Sequence, residues 1–384
     1  MKVGQVTFCG NNYGSVLQCY ATQQVLKKRN IECVLLTRRE KGIRRIMQSV
    51  EFRSDMLWKM LRYPKHFSTF RDSLHNLKAL HEEKSLTTAS GAAIDSFIHS
   101  RILSKAYSWK DLKRNSRDGD YAFFLSGSDQ IWSANWFITN RLWFLRFCPK
   151  EKRVAWMPSF GGETLAEYNQ PIYAKYICEY AHLSVREEAG RQILEDLLHI
   201  QVPVLGDPVF LQTGEEWREM AKKNIRSKPY ILMFFLDRPS NLALKQAQIL
   251  QKTMDVDIVY FAYDYKDPNA DLVEGGPDSF LGLIDEASVV LTDSFHACAF
   301  SVIMHTPFYA FSRNSQSGAK QMSRVQNLME TFSLESHYIN DEEKLVHELQ
   351  PCSEKQVDDK LTQLREGILE YLDTLLHNYT LIGE

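Results

Sequence analysis

This sequence predicts two open α/β domains with parallel sheets that face one another across a cleft. Three observations carry the prediction. Short apolar runs alternate with amphipathic stretches of helical period, the rhythm of a parallel sheet covered by helices. Polar or glycine-bearing turns follow one apolar run after another, so they gather along one sheet edge. At 384 residues the chain exceeds one ordinary core, which favours two domains.

The first unit is β-α-β. Residues 3–8 alternate as a strand, the turn Cys9-Gly10-Asn11-Asn12-Tyr13-Gly14 follows, and 31–36 form the next strand. Between them, Val16, Leu17, Tyr20, Ala21 and Val25 share one face of a helix over 15–28, with Ser15 as its N-cap. Such a turn exposes backbone N–H groups at a helix start, which suits a phosphate or carboxylate. Asn11, Asn12, Tyr13 and Gly14 are therefore candidate binding residues. A plain tight turn is the competing reading, and the glycine spacing is not that of the dinucleotide fingerprint.

Residues 38–117 read as a helical insertion with few strand signals. Between Arg38 and Arg71 ten basic residues stand against three acidic ones, around Trp58. A basic amphipathic helix carrying Trp can lie on an anionic membrane surface. The alternative is a helical cap with a solvated basic face.

Strands are then expected at 121–125, leading into Ser128-Asp129-Gln130, and at 153–157, leading into Pro158-Ser159. Two more are expected at 181–185, leading into Arg186-Glu187, and at 202–205, leading into Gly206-Asp207-Pro208. The second half repeats the theme with strands at 230–235 and 257–261, a helix at 241–252 between them, and a helix at 278–287. Further expected elements are a strand at 308–311, an amphipathic helix at 321–332 and a long charged helix from 354 to 376. The joint falls near 207–214, giving domains 1–208, with its insertion, and 209–384, with its terminal helix.

Val289–Phe300, VVLTDSFHACAF, is the most informative stretch. It reads as a buried strand, a turn at Asp293-Ser294-Phe295 and a helix opened by His296. Parallel α/β sheets place ligands at this junction, and a histidine there can move a proton near neutral pH. A core or capping histidine is the plainer reading of the same pattern.

Composition narrows the class. The net charge of −2 gives no pull toward nucleic acid. The seven cysteines form no CxxC pair and suit a reducing compartment. The histidines lack metal-ligand spacing, so neither a metal nor a cofactor is expected. An apolar run too short for a signal peptide, and the lack of any membrane-spanning run, predict a cytoplasmic protein. Peripheral contact with the inner face of the cell membrane is the expectation for 38–71.

Several stretches together resemble the polysaccharide pyruvyl transferase family. They are GNNYGSVLQCYA (10–21), GSDQIW (127–132), SFGG (159–162), LSVREEAG (183–190), DPVFL (207–211), the run from 276 to 303 that contains TDSFH, and MSRVQNLME (322–330). The resemblance implies two Rossmann-like domains in a glycosyltransferase-B-like arrangement. It also implies phosphoenolpyruvate as donor and a pair of sugar hydroxyls as acceptor, on a surface polysaccharide or its lipid-linked precursor. His296 matches the family's histidine and Arg186 its arginine. Some relatives carry a second arginine two positions before that histidine, where this chain has Ser294. Arg313 and Lys320 are candidate substitutes from position alone.

On that resemblance His296 is the acid that protonates the donor's methylene carbon. Arg186 pairs with its carboxylate or phosphate. Asp129 is the candidate acceptor base, with Asp207 behind it and Ser128 beside it in the loop. Two rivals remain at this point: a glycosyltransferase of like architecture with a nucleotide-sugar donor, and a catalytically silent partner of a polysaccharide assembly complex.

Overall fold

The computed structural model describes residues 1–10, 12–41, 43–68, 88–119, 121–137, 139–223, 226–261, 271–313, 322–350 and 354–381. It holds two all-parallel sheets with helices against them. In the first half the elements are β1 (Lys2–Val6), α1 (Tyr13–Lys27), β2 (Glu32–Arg38), α2 (Ile43–Arg62), α3 (Thr88–Arg101), β3 (Ser104–Tyr107), α4 (Trp109–Asp118), β4 (Tyr121–Ser126) and β5 (Arg153–Ala155). Helices α5 (Gln170–Ile177), α6 (Glu188–Leu198) and α7 (Gly214–Met220) follow. The second sheet comprises β6 (Tyr230–Phe234), β7 (Asp257–Phe261), β8 (Asp271–Val273), β9 (Val289–Thr292), β10 (Phe308–Phe311) and β11 (Tyr338–Ile339). Its helices are α8 (Asn241–Met254), α9 (Pro277–Asp285), α10 (Phe295–Met304) and α11 (Ser323–Phe332), and α12 (Glu354–Leu381) ends the chain.

Strand order is β3-β2-β1-β4-β5 in the first sheet and β11-β10-β9-β6-β7-β8 in the second. Each order reverses direction once, between β1 and β4 and between β6 and β9. That reversal parts the loops beyond the strand ends and leaves a crevice there. The two crevices face each other, so the fold is a pair of Rossmann-like domains across a cleft.

Most expected elements appear with shifted ends, and the departures have physical causes. Residues 181–185 and 202–205 make only single bridges, His182 to Val154 and Val204 to Val185. Pro203 has no N–H to extend a ladder, and the sheet runs out there. The insertion holds β3, a strand the sequence does not signal because its SKAY segment is largely exposed at a sheet edge. Helix α1 starts two residues before Ser15, and Asn12 is its N-cap. The Ser15 hydroxyl instead donates back to the carbonyls of Gly10 and Asn12.

Two features lock the domains together. Tyr13 is buried among Phe234, Phe261 and Phe280 of the second domain and stacks on Phe280 at 5.2 Å; its hydroxyl donates to the Gly275 carbonyl. The last helix, α12, crosses back to the first sheet, where Ile368, Leu372 and Leu375 join Val3, Phe123 and Trp156 in one core.

Candidate active site at the facing sheet ends

Loops from both crevices meet around a cavity of about 230 Å³. Asn12 arrives from the end of β1, and Asp129 and Gln130 from the end of β4. Leu236 arrives from the end of β6, and Ser294 and His296 from the end of β9. Arg313, just beyond β10, and Arg324, on α11, close the ring.

His296 sits in the first turn of α10 and is 7% exposed. Its ring lies against the backbone of Gly14: a Cβ on Gly14 would come within 2.1 Å of His296 Cγ and Nδ1. No side chain larger than hydrogen fits there, so glycine at the start of α1 is what admits the histidine across the cleft. On the other side His296 Nε2 stands 3.6 Å from Asp207 Oδ2.

Asp207 is fully buried and is shared. Its Oδ2 lies 2.7 Å from Arg186 Nη2, and its Oδ1 accepts from the Val209 N–H at 2.9 Å. Burial alone would push its carboxyl up, but the Arg186 charge and the facing His296 ring override it and hold the group down at about 2. Arg186, Asp207 and His296 thus form a line that ends at the cavity. The Arg186 guanidinium also rests on the Phe295 ring, 4.4 Å from its centroid, and Arg324 stands 6.0 Å from the same ring.

The second crevice has its own carboxylate. Asp293 accepts from the N–H groups of Leu236 and Asp237, tying the end of β9 to the end of β6. Arg313 Nε lies 3.6 Å from its Oδ2. Burial dominates here and raises the Asp293 carboxyl to about 6, with Arg313 opposing.

Arg324 is the residue that sequence reasoning missed. It is buried, and burial with the nearby charges of Arg186 and Arg313 pushes its guanidinium down to about 10. The signal was present, since Arg324 lies inside the MSRVQNLME stretch. Its helix reads as amphipathic, however, and an arginine in such a helix is usually a solvated one.

Among the other candidates, Ser294 caps α10, its hydroxyl accepting from the Ala297 N–H. The Asn12 carboxamide accepts from the N–H groups of Gly14 and Ser15, so the start of α1 is capped from within. Ser128 is buried and donates to the Met157 carbonyl. Asp129 lines the cavity on a left-handed backbone, φ 61°, with its carboxylate accepting from the Gln130 N–H. Asn11 and Lys320 lie outside the described residues.

Against known proteins, the model of the polysaccharide pyruvyl transferase family matches residues 12–315. No curated protein matches the chain. Three solved structures illustrate its structural similarity. The UDP-GlcNAc 2-epimerase of Methanocaldococcus jannaschii is 12% identical with a TM-score of 0.46, over 95% of this chain and 93% of that one. The UDP-GlcNAc 2-epimerase of Neisseria meningitidis is 13% identical with a TM-score of 0.45, over 95% and 92%. MurG of Acinetobacter baumannii is 8% identical with a TM-score of 0.41, over 98% and 99%. Likeness this loose says nothing of a substrate.

Proposed function

Because the chain belongs to the polysaccharide pyruvyl transferase family, we propose that it moves the enolpyruvyl unit of phosphoenolpyruvate onto two hydroxyls of one sugar. The product is a pyruvate ketal on a surface polysaccharide or its lipid-linked precursor. One observation carries the reading: Arg313 and Arg324 crowd with His296 around one cavity, and Arg186 and Arg324 share the Phe295 ring beside it. A donor with a carboxylate and a phosphate relieves that crowding, and each anion offers oxygens matched to guanidinium donors.

Protonation of the donor's methylene carbon by His296 leaves an oxocarbenium-like centre on the adjacent carbon. A sugar hydroxyl adds there and loses its proton to a base, for which Asp129 is the candidate in the cavity wall. Expulsion of phosphate and addition of the second hydroxyl, with loss of its proton, close the ketal. Arg313 and Arg324 take the donor's anionic groups. Ser294, which stands where some relatives have an arginine, is occupied as a helix cap, and Arg324 reaches the same cavity from α11. Arg186 is a positioning residue: it holds Asp207, and Asp207 orients His296.

The deciding experiment is donor binding followed by turnover. Phosphoenolpyruvate, and not UDP-GlcNAc, should raise the melting temperature. With lipid-linked sugars as acceptors, phosphate release should accompany a pyruvyl mass gain. His296→Ala should keep the donor-induced stabilisation and lose about 10²–10⁴-fold in turnover, the usual worth of a general acid. Stabilisation by the nucleotide sugar alone would overturn the donor. A cellular role that survives His296→Ala would mark a scaffold instead of an enzyme.

A further inference from the structure

The second half of helix α2, residues 53–62, has two apolar faces, and one of them packs on the protein. Met56, Met60 and Tyr63 turn inward and pack with Phe137 and Tyr168. Lys59, on the same side, is wholly buried. Its ammonium donates to the Phe137 carbonyl at 2.8 Å and to Thr139 Oγ1 and Asn169 Oδ1 at 3.0 Å, and it pairs with Asp55 at 3.1 Å. A buried cation with four partners fixes this part of the helix in rotation and height. The opposite face is therefore exposed by construction, not by looseness.

That face carries Leu57, Trp58 and Leu61, exposed by 56%, 52% and 76%, and Phe67 stands beyond the helix end at 54%. These are four of the seven large exposed hydrophobics among the described residues. Arg53 and Arg62 are exposed around them, and Lys65, also exposed, pairs with Glu167. Asp55, the one acidic residue between 53 and 68, is engaged with Lys59. An apolar cluster containing Trp, rimmed by cations, complements an anionic bilayer surface. The aromatic and aliphatic side chains enter the acyl boundary while the cations meet the headgroups. No described helix is long and apolar enough to cross a membrane, so the contact is one of lying on the surface.

We propose that the outer face of α2, centred on Trp58 and Leu61, docks this protein on an anionic lipid surface. The loop that anchors Lys59 is the one that runs on from Asp129 and Gln130. The contact goes beyond the donor chemistry and stands without it.

Flotation of the full chain with phosphatidylcholine vesicles, with and without phosphatidylglycerol, tests this directly. Binding should appear with the anionic lipid, and Trp58→Ala with Leu61→Ala should reduce it about tenfold or more. Arg53→Glu with Arg62→Glu should do the same at low salt, and added salt should weaken the parent's binding. Phosphoenolpyruvate-induced stabilisation serves as the control for folding, because none of these residues lines the cavity. Equal binding to neutral vesicles, no binding at low salt, or full binding by the Trp58–Leu61 variant overturns the proposal. So does sedimentation showing a dimer that this variant abolishes, which makes the face a contact between copies. Vesicle binding that persists while phosphoenolpyruvate fails to bind would sink the donor reading alone.

Discussion

At the end of β1 the Asn12 carboxamide is taken up by the N–H groups of Gly14 and Ser15, and beyond β4 the Ser128 hydroxyl is taken up by Met157. At the end of β9 and beyond, His296, Arg313 and Arg324 all reach the cavity wall. Two sheets of the same strand order thus use equivalent crevices differently. The first engages Asn12 and Ser128 with its own backbone and contributes space at Gly14, charge at Asp207 and the cavity-lining Asp129. The second supplies His296, the proposed proton donor, with Arg313 and Arg324 in the same cavity wall. A Rossmann-like sheet end is an opportunity for chemistry, and here the two ends contribute different parts of one cavity.

The sharpest way to break this comparison is Gly14→Ala, a change in the first domain that removes no polar or charged side chain. The added methyl would meet the His296 ring at 2.1 Å, so the ring must leave its place between Gly14 and Asp207. Displacement of a catalytic group by about 1 Å can cost about 10²-fold. Turnover should fall by that order while donor-induced stabilisation stays near the parent's. If Gly14→Ala turns over normally, the first domain's role as a seat for the histidine is wrong.

Two arginines sharpen the division of labour. Arg324→Lys keeps the charge but loses the planar fork, and the KM for phosphoenolpyruvate should rise about tenfold with kcat little changed. Arg186→Lys should do the reverse, lowering kcat several-fold through Asp207 and His296 and leaving the donor KM near its original value. Steady-state kinetics at saturating acceptor separate the two. A matching rise in donor KM for Arg186→Lys would return that residue to the donor's anionic groups.

Much of this was legible in the residues. Val289–Thr292 and Phe308–Phe311 stand out because a strand buried on both faces reads as an unbroken apolar run, and both appear as expected. The turn after each such strand marks the crevice, so His296 and Asp129 could be named without coordinates. What stayed hidden depends on distance across the chain. Nothing local says that Gly14 meets His296, that Arg186 is bound to Asp207, or that Tyr13 is spent on holding the domains together. Short edge strands escaped for another reason: β3 is largely exposed and β11 is only two residues long, so neither shows a period. Lys59 looked like one more surface cation, because burial of a lysine is set by distant acceptors, here Phe137, Thr139 and Asn169.

The smallest effect compares the two buried carboxylates by pH. Asp207 is held down at about 2, below its ordinary value of 3.8. Its contribution to stability is therefore complete above about 4 and is lost only as pH falls through about 2. Asp293 is raised to about 6, so between about 4 and 6 the folded state holds a proton that the unfolded chain has released. Stability should fall as pH rises through that window, by at most roughly 3 kcal/mol from this group. Asp293→Asn cannot titrate, and urea unfolding at pH 4, 5, 6 and 7 should show a flatter profile than the parent's over that window. Asp207 is silent throughout the window, so the difference between the two profiles reports the second domain's crevice. An unchanged slope in Asp293→Asn would mean that Arg313 keeps Asp293 ionised in the fold, and that the two crevices hold their carboxylates in the same state.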